Sequence, residues 1–144
     1  MINNYLKHIL DFHTQFESKK ITLQNAEKIK NTPKPDGIVI CGMGASLTTG
    51  KIIYSLRREL NLGMVILGND YSQPEHNFKN PLYIFISFSG KTEETFSCLH
   101  EFLKNRKGGF GAVVSTENSP LETLALANNL TTASFNGGDL MPRE

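Results

Sequence analysis

Gly37-Ile38-Val39-Ile40-Cys41-Gly42-Met43-Gly44-Ala45-Ser46 decides the reading of this chain. Its first half is a continuous apolar run, as expected of a strand buried on both faces. Its second half is a glycine-punctuated turn that ends on a hydroxyl. Three more runs share the character of the first: Val65-Ile66-Leu67, Leu82-Tyr83-Ile84-Phe85-Ile86 and Phe110-Gly111-Ala112-Val113-Val114. Leu130–Phe135 alternates weakly and supplies a fifth strand. Between the runs, apolar residues recur at helical spacing through Ile52, Ile53, Leu56 and Leu60, and again through Phe96, Leu99, Phe102 and Leu103. Ser119-Pro120-Leu121-Glu122 opens a third helix, with a serine N-cap, proline at the first helical position and a glutamate closing a capping box. Strands alternating with helices imply right-handed crossovers and a parallel sheet covered on both sides. The predicted fold is α/β: a doubly wound, five-stranded parallel sheet in flavodoxin-like order, 2-1-3-4-5, with helices on both faces.

Upstream of this pattern, Ile2, Tyr5, Leu6, Ile9, Phe12 and Phe16 form the stripe of an amphipathic helix, and a second short helical stretch is expected from Leu23 to Ile29. Asn31-Thr32-Pro33-Lys34-Pro35-Asp36 then breaks any helix, because proline lacks an amide donor and restricts the residue before it. Residues 1–35 therefore read as an N-terminal helical extension, and 36–144 as the α/β domain. The whole chain of 144 residues has room for one core. A formal net charge of +1 gives no global electrostatic reason for nucleic acid or a membrane as partner. No apolar run approaches the roughly 20 residues that a bilayer span needs. Cys41 and Cys98 lack CxxC spacing and fit small buried hydrophobes in a reduced protein, so a cytoplasmic location is expected.

In such sheets a ligand binds beyond the carboxyl ends of the strands, where the winding reverses. The predicted order puts that crevice between the loops leaving the first and third strands. The first loop is Gly42-Met43-Gly44-Ala45-Ser46, whose glycines let the backbone approach a ligand and whose Ser46 falls at a helix start, where free amides favour an anion. The second is Ser87-Phe88-Ser89-Gly90-Lys91-Thr92, with three hydroxyls around a glycine. Serine and threonine also favour turns and helix starts for purely structural reasons, and Ser46 alone reads equally well as a plain N-cap. The coincidence of both loops at one crevice carries the anion-site reading. Gly90-Lys91-Thr92 resembles the end of a nucleotide-binding P-loop, but Phe85 stands where its leading glycine belongs. Gly42-Met43-Gly44 begins like a dinucleotide fingerprint, but Leu47 stands in the third glycine's place. Asp70 after the second strand keeps a nucleotide-binding Rossmann-like enzyme as an alternative.

These loops resemble the two phosphosugar loops of the SIS (sugar isomerase) domain family, the second through its Ser-x-Ser-Gly-x-Thr-Glu-Glu run at 87–94. Val113-Val114-Ser115-Thr116 with Ser119-Pro120-Leu121 resembles that family's third ligand-side segment. The resemblance covers Gly37 to the C-terminus. Within the family it is nearest to the first half of bifunctional phosphoglucose/phosphomannose isomerases, with Ala45 in place of a glycine and one extra residue in Gly137-Gly138-Asp139-Leu140-Met141-Pro142-Arg143. The resemblance implies that Gly44, Ala45, Ser46, Ser87, Ser89 and Thr92 hold a sugar phosphate, and that Arg143 reaches the sugar. It also implies isomerase chemistry whose glutamate, histidine and lysine come from a second SIS domain, before which this chain stops. Glu93 and Glu94 read as favourable partners of a helix dipole rather than as bases. His8, His13, His76 and His100 show no metal-ligand spacing and read as surface residues, although His76 could approach a neighbouring subunit's site. The expected ligand is a phosphorylated sugar, with no cofactor or metal; the expected partner is a second copy or a second SIS domain. A non-catalytic phosphosugar sensor is the other alternative.

Overall fold

A computed structural model describes residues 21–105 and 109–137. The helix expected over residues 2–16, and Gly138 to Arg143, lie outside the described residues. The elements are β1 (Ile21–Gln24), α1 (Ala26–Lys30), β2 (Gly37–Gly42), α2 (Ala45–Ser55), β3 (Val65–Gly68), β4 (Pro81–Ser87), α3 (Glu93–Asn105), β5 (Phe110–Thr116), α4 (Pro120–Ala127) and β6 (Thr131–Phe135). They build one six-stranded sheet in the order β1-β6-β5-β4-β2-β3. Strands β2 to β6 pair in parallel, and β1 pairs antiparallel with β6.

The expectation of five parallel strands is therefore corrected to a mixed sheet of six. The extra strand runs into the start of the helix expected from Leu23 to Ile29: Ile21–Gln24 lies on β6, and only Ala26–Lys30 is helical. The physical reason is that Ile21-Thr22-Leu23 alternates apolar and polar residues and opens with two β-branched ones, which suits an edge strand. Asn25, in the left-handed region at φ 56°, ends it. Its side chain then donates to the Leu130 carbonyl at 2.9 Å and its carbonyl accepts from the Thr131 hydroxyl at 2.9 Å, which ties the short helix to β6.

The alternation of side chains along the strands divides the interior in two. Val39, Cys41, Tyr83, Phe85 and Val113 face α3 and α4, where Leu99, Phe102, Leu121 and Ala125 cover them. Ile38, Ile40 and Ile86 face the opposite side, together with Val65, Ile53 and Leu67. Of the stripe expected on the second face, only Ile53 packs inward; Ile52, Leu56 and Leu60 are exposed, and Leu47 and Gly50 are the buried contacts of α2. Both cysteines are free and buried. Cys98 does more than fill space: its thiol donates to the Asp70 carbonyl at 3.1 Å and so holds the loop after β3 against α3. His76 is likewise internal to this packing, bonding the Tyr83 hydroxyl and stacking on Phe78.

The carboxylate of Asp36 closes the turn into β4, accepting from the Lys79 amide at 2.7 Å and the Asn80 amide at 2.9 Å. The Lys79 bond holds its carboxyl below the ordinary value of 3.8. A folded-state value below the unfolded one gives stability that is complete above the unfolded value and lost as pH falls through the folded one. Acid unfolding of the wild type and Asp36→Asn should therefore diverge above about pH 4 and converge below it. A constant offset at every pH would show that the charge of Asp36 is not what matters. No helix among the described residues is long and apolar enough to cross a membrane.

Candidate functional site

The winding reverses between β2 and β4, which lie side by side with Gly42 opposite Ile86. Chain leaving β2 enters α2 on one face, and chain leaving β4 enters α3 on the other. The two glycine–hydroxyl loops thus border one crevice at the carboxyl edge of the sheet, and they touch across it. The amide of Phe88 donates to Ser46 Oγ at 3.3 Å.

That bond decides between two roles for Ser46. The N-cap of α2 is Gly44, at φ 56° and ψ −125°, and no side chain caps the helix. Ser46 is therefore not a plain N-cap: its hydroxyl faces the second loop instead. A Cβ on Gly44 would meet nothing within 4 Å, so torsion alone demands glycine there. Gly44 and Ala45 are exposed and Ser46 is half-buried, which leaves the first turn of α2 open at the crevice.

In the second loop, Ser87 and Thr92 share a hydrogen bond of 2.9 Å between their hydroxyls. Ser87 is fully buried, while Ser89 and Thr92 are half-buried. Ser89 Oγ accepts from the Lys91 amide at 3.3 Å, and Gly90 closes the turn back onto the Ser87 carbonyl at 3.1 Å. The three hydroxyls thus sit in two layers: Ser87 below, orienting Thr92, and Ser89 and Thr92 above at the opening of the crevice. Both α2 and α3 point their amino ends at it, and first-turn amides without intrahelical partners favour negative charge.

Two further serines, which the resemblance places in a third segment, support the site from behind. Ser115, opposite Ser87 in the β4–β5 register, hydrogen-bonds Ser119 at 2.9 Å. Ser119 caps α4 by accepting from the Glu122 amide at 3.2 Å. The Glu122 carboxylate accepts in turn from the Asn118 amide, one residue short of the expected capping box, at 2.6 Å. This unit braces the second loop, because the Leu121 amide donates to the Gly90 carbonyl at 3.2 Å. Tyr71 is a neighbour that no sequence motif announces. It lies beside the first turn of α3, where the carboxylate of Glu94, and then that of Glu93, pushes its phenol above the ordinary value.

Of the expected site residues, the structure brings Gly44, Ala45, Ser46, Ser87, Ser89 and Thr92 to the two facing loops. Arg143 lies outside the described residues. Asp70, the feature of the nucleotide alternative, holds the Tyr71 amide on its own carboxylate at 2.7 Å. Among the described residues, no group of three histidine, cysteine or acidic side chains could hold a metal ion. A cavity of about 210 Å³ lined by Lys28, Phe102, Phe110 and Thr131 lies at the amino ends of β5 and β6, at the opposite end of the sheet from the loops.

No protein-family model matches the chain. It is 32% identical over 133 residues to a bifunctional phosphoglucose/phosphomannose isomerase of Thermoplasma volcanium, a match that takes in 89% of this chain and 43% of that protein. The chain thus spans less than half the length of this relative. Among solved structures it is similar to the Vibrio vulnificus NanR protein complexed with ManNAc-6P, with a TM-score of 0.57 at 17% identity over 78% of this chain and 42% of that one. It is also similar to tagatose-6-phosphate ketose/aldose isomerase from Escherichia coli, with a TM-score of 0.55 at 17% identity over 77% of this chain and 32% of that one. In sequence the chain is thus similar to a bifunctional phosphoglucose/phosphomannose isomerase and in its sheet to these solved structures, which is consistent with a SIS (sugar isomerase) domain.

Proposed function

We propose that the crevice between the two loops binds the phosphate of a phosphorylated sugar, and that the chain is the phosphate-binding part of an aldose–ketose phosphohexose isomerase. The reaction would interconvert glucose 6-phosphate or mannose 6-phosphate with fructose 6-phosphate. The observation that carries the reading is the Phe88 amide bonded to Ser46 Oγ, which fastens the two loops at the point where the winding reverses. A phosphate there meets hydroxyls of Ser46, Ser89 and Thr92 and the amino ends of two helices, a neutral site that balances the dianion with dipoles. Anchoring the phosphate fixes the far end of the sugar. Isomerisation also needs an acid to open the ring and a base to move a proton between adjacent carbons. In this reading those groups come from a second SIS domain or a second copy of the chain, and Arg143 reaches the sugar.

One observation favours a second reading, a non-catalytic phosphosugar sensor. The carboxylates nearest the loops, Glu94 and then Glu93, crowd Tyr71 and raise its phenol above the ordinary value. Isomerase activity of the chain by itself would exclude the sensor reading and place the acid and base on a second copy; in its absence, activity restored by a second SIS domain supplied with the chain would exclude it equally. The shared claim is tested by thermal shift with fructose 6-phosphate, glucose 6-phosphate and NAD. A phosphosugar at about 100 times its dissociation constant should stabilise the fold by about 2.7 kcal/mol. Stabilisation by NAD and by neither phosphosugar would sink the reading.

A further inference from the structure

The crevice has a third wall, and Tyr71 stands on it. Strand β2 lies between β4 and β3, with Gly42 opposite Ile86 and Cys41 opposite Gly68. The loop that opens at Asn69 therefore leaves the sheet on one flank of the Gly42–Ser46 loop, as the Ser87–Thr92 loop does on the other. Three hydrogen bonds lay it on α3. Cys98 Sγ donates to the Asp70 carbonyl at 3.1 Å, the Gln73 amide to the Glu101 carboxylate at 2.8 Å, and Gln73 Nε2 to the Cys98 carbonyl at 3.1 Å. Glu94, Cys98 and Glu101 share one face of α3, being four and three residues apart. The loop runs along that face, and the Tyr71 phenol reaches the first turn beside Glu94 and Glu93. That is the turn the second loop enters at Thr92.

The backbone around Tyr71 is thus pinned while its ring is not covered. The Asp70 carboxylate fixes the turn by accepting from the Tyr71 amide at 2.7 Å, and the side chain is 52% exposed. Among the described residues, it is the one large exposed hydrophobic in the loops that leave the carboxyl ends of the parallel strands. The others stand on β1, on α2 or on the chain between α2 and β3. An aromatic ring with a polar tip, held on a braced loop at a crevice, matches a ligand with both apolar and hydroxyl surface. A sugar has both, with carbon-bound hydrogens on its faces and hydroxyls around its rim.

We propose that Tyr71 is the sugar-recognising residue of the crevice: its ring packs on the carbon face of the sugar whose phosphate the two loops hold, and its hydroxyl donates to a sugar oxygen. The inference rests on the phosphosugar reading and deepens it, by separating what holds the ester from what reads the group attached to it. Amides and hydroxyls of the two loops suit any phosphate monoester. Tyr71 adds the surface that tells a hexose from a shorter chain. The carboxylates of Glu94, and then Glu93, keep the phenol protonated as a donor. Because the loop is already braced on α3, presenting the ring costs little ordering on binding.

The test measures dissociation constants of fructose 6-phosphate and glycerol 3-phosphate for the full chain, Tyr71→Phe and Tyr71→Leu. Fructose 6-phosphate is expected to weaken about threefold to tenfold in Tyr71→Phe, which loses the hydroxyl alone, and further in Tyr71→Leu, which loses the ring as well. Glycerol 3-phosphate should change by less than about twofold in either variant, with Tm unchanged, because the side chain is exposed. Equal losses for the two esters, or no loss for either, overturn the role of Tyr71 and leave the phosphate site standing. A wild type that binds neither ester overturns the phosphosugar reading, and this proposal with it.

Discussion

Gly90→Ala is expected to destabilise the protein by about 3 kcal/mol, lowering Tm by roughly 10 °C, and to abolish phosphosugar binding. Two costs add at this position. Gly90 sits at φ 62°, in the left-handed region that a side chain enters at a cost of roughly 1–2 kcal/mol. A Cβ there would also stand 2.3 Å from Ser119 Cβ and 2.4 Å from its hydroxyl, a distance that no rotation of a flexible side chain relieves. The second loop and the start of α4 must therefore part. Parting them strains the Leu121 amide bond to the Gly90 carbonyl and displaces the serine that caps α4. Because Ser119 also bonds Ser115, the disturbance reaches the strand beside Ser87. Chemical denaturation combined with a fructose 6-phosphate titration checks both halves of the expectation. A variant of wild-type stability and affinity would mean that the close approach of Gly90 to Ser119 is not part of the native site.

The second large effect is on affinity rather than stability. Ser89→Ala combined with Thr92→Val removes the two hydroxyls at the mouth of the crevice while keeping their bulk. Each hydrogen bond to a charged oxygen is worth roughly 1.5–3 kcal/mol, so the pair should weaken fructose 6-phosphate by about 3 kcal/mol or more, a factor of 100 and upward. Stability should change little, because Ser89 and Thr92 are only half-buried; the loss of the Ser87–Thr92 bond costs about 1 kcal/mol. Ser87→Ala is expected to weaken binding less, since this buried serine acts by holding Thr92. Calorimetric titration of the variants ranks these effects. A Ser87→Ala loss larger than that of the double variant would reverse the layering assigned to the loop.

Much of this was legible because the signals are local. Gly37–Cys41, Leu82–Ile86 and Phe110–Val114 read as strands because central parallel strands are covered by helices on both faces and show as continuous apolar runs; they fall within Gly37–Gly42, Pro81–Ser87 and Phe110–Thr116. Ser119-Pro120-Leu121-Glu122 declared its helix start because capping chemistry lies within four residues. What stayed hidden depends on register across long sequence separations. Strand β1 is four exposed residues whose partner lies more than a hundred positions away, so no burial pattern marks it. The burial of Ser87 follows from its place opposite Ser115, and the service of Ser119 to the second loop from its approach to Gly90. Ser46 alone reads equally well as an anion ligand or as a plain cap, because helix starts favour serine, and the bond from Phe88 is what tells the two apart. His76 read as a surface residue because nothing local announces Tyr83 as its partner.

The central claim, that the two facing loops hold the phosphate of a sugar, is tested most directly by amide chemical shifts of the full chain during titration with fructose 6-phosphate. The account predicts saturable shifts concentrated at residues 44–47 and 88–93, and their absence when fructose replaces its phosphate ester. Shifts confined to Asn69–Tyr71, or to the cavity around Lys28 and Thr131, with the two loops silent at saturation, would contradict it.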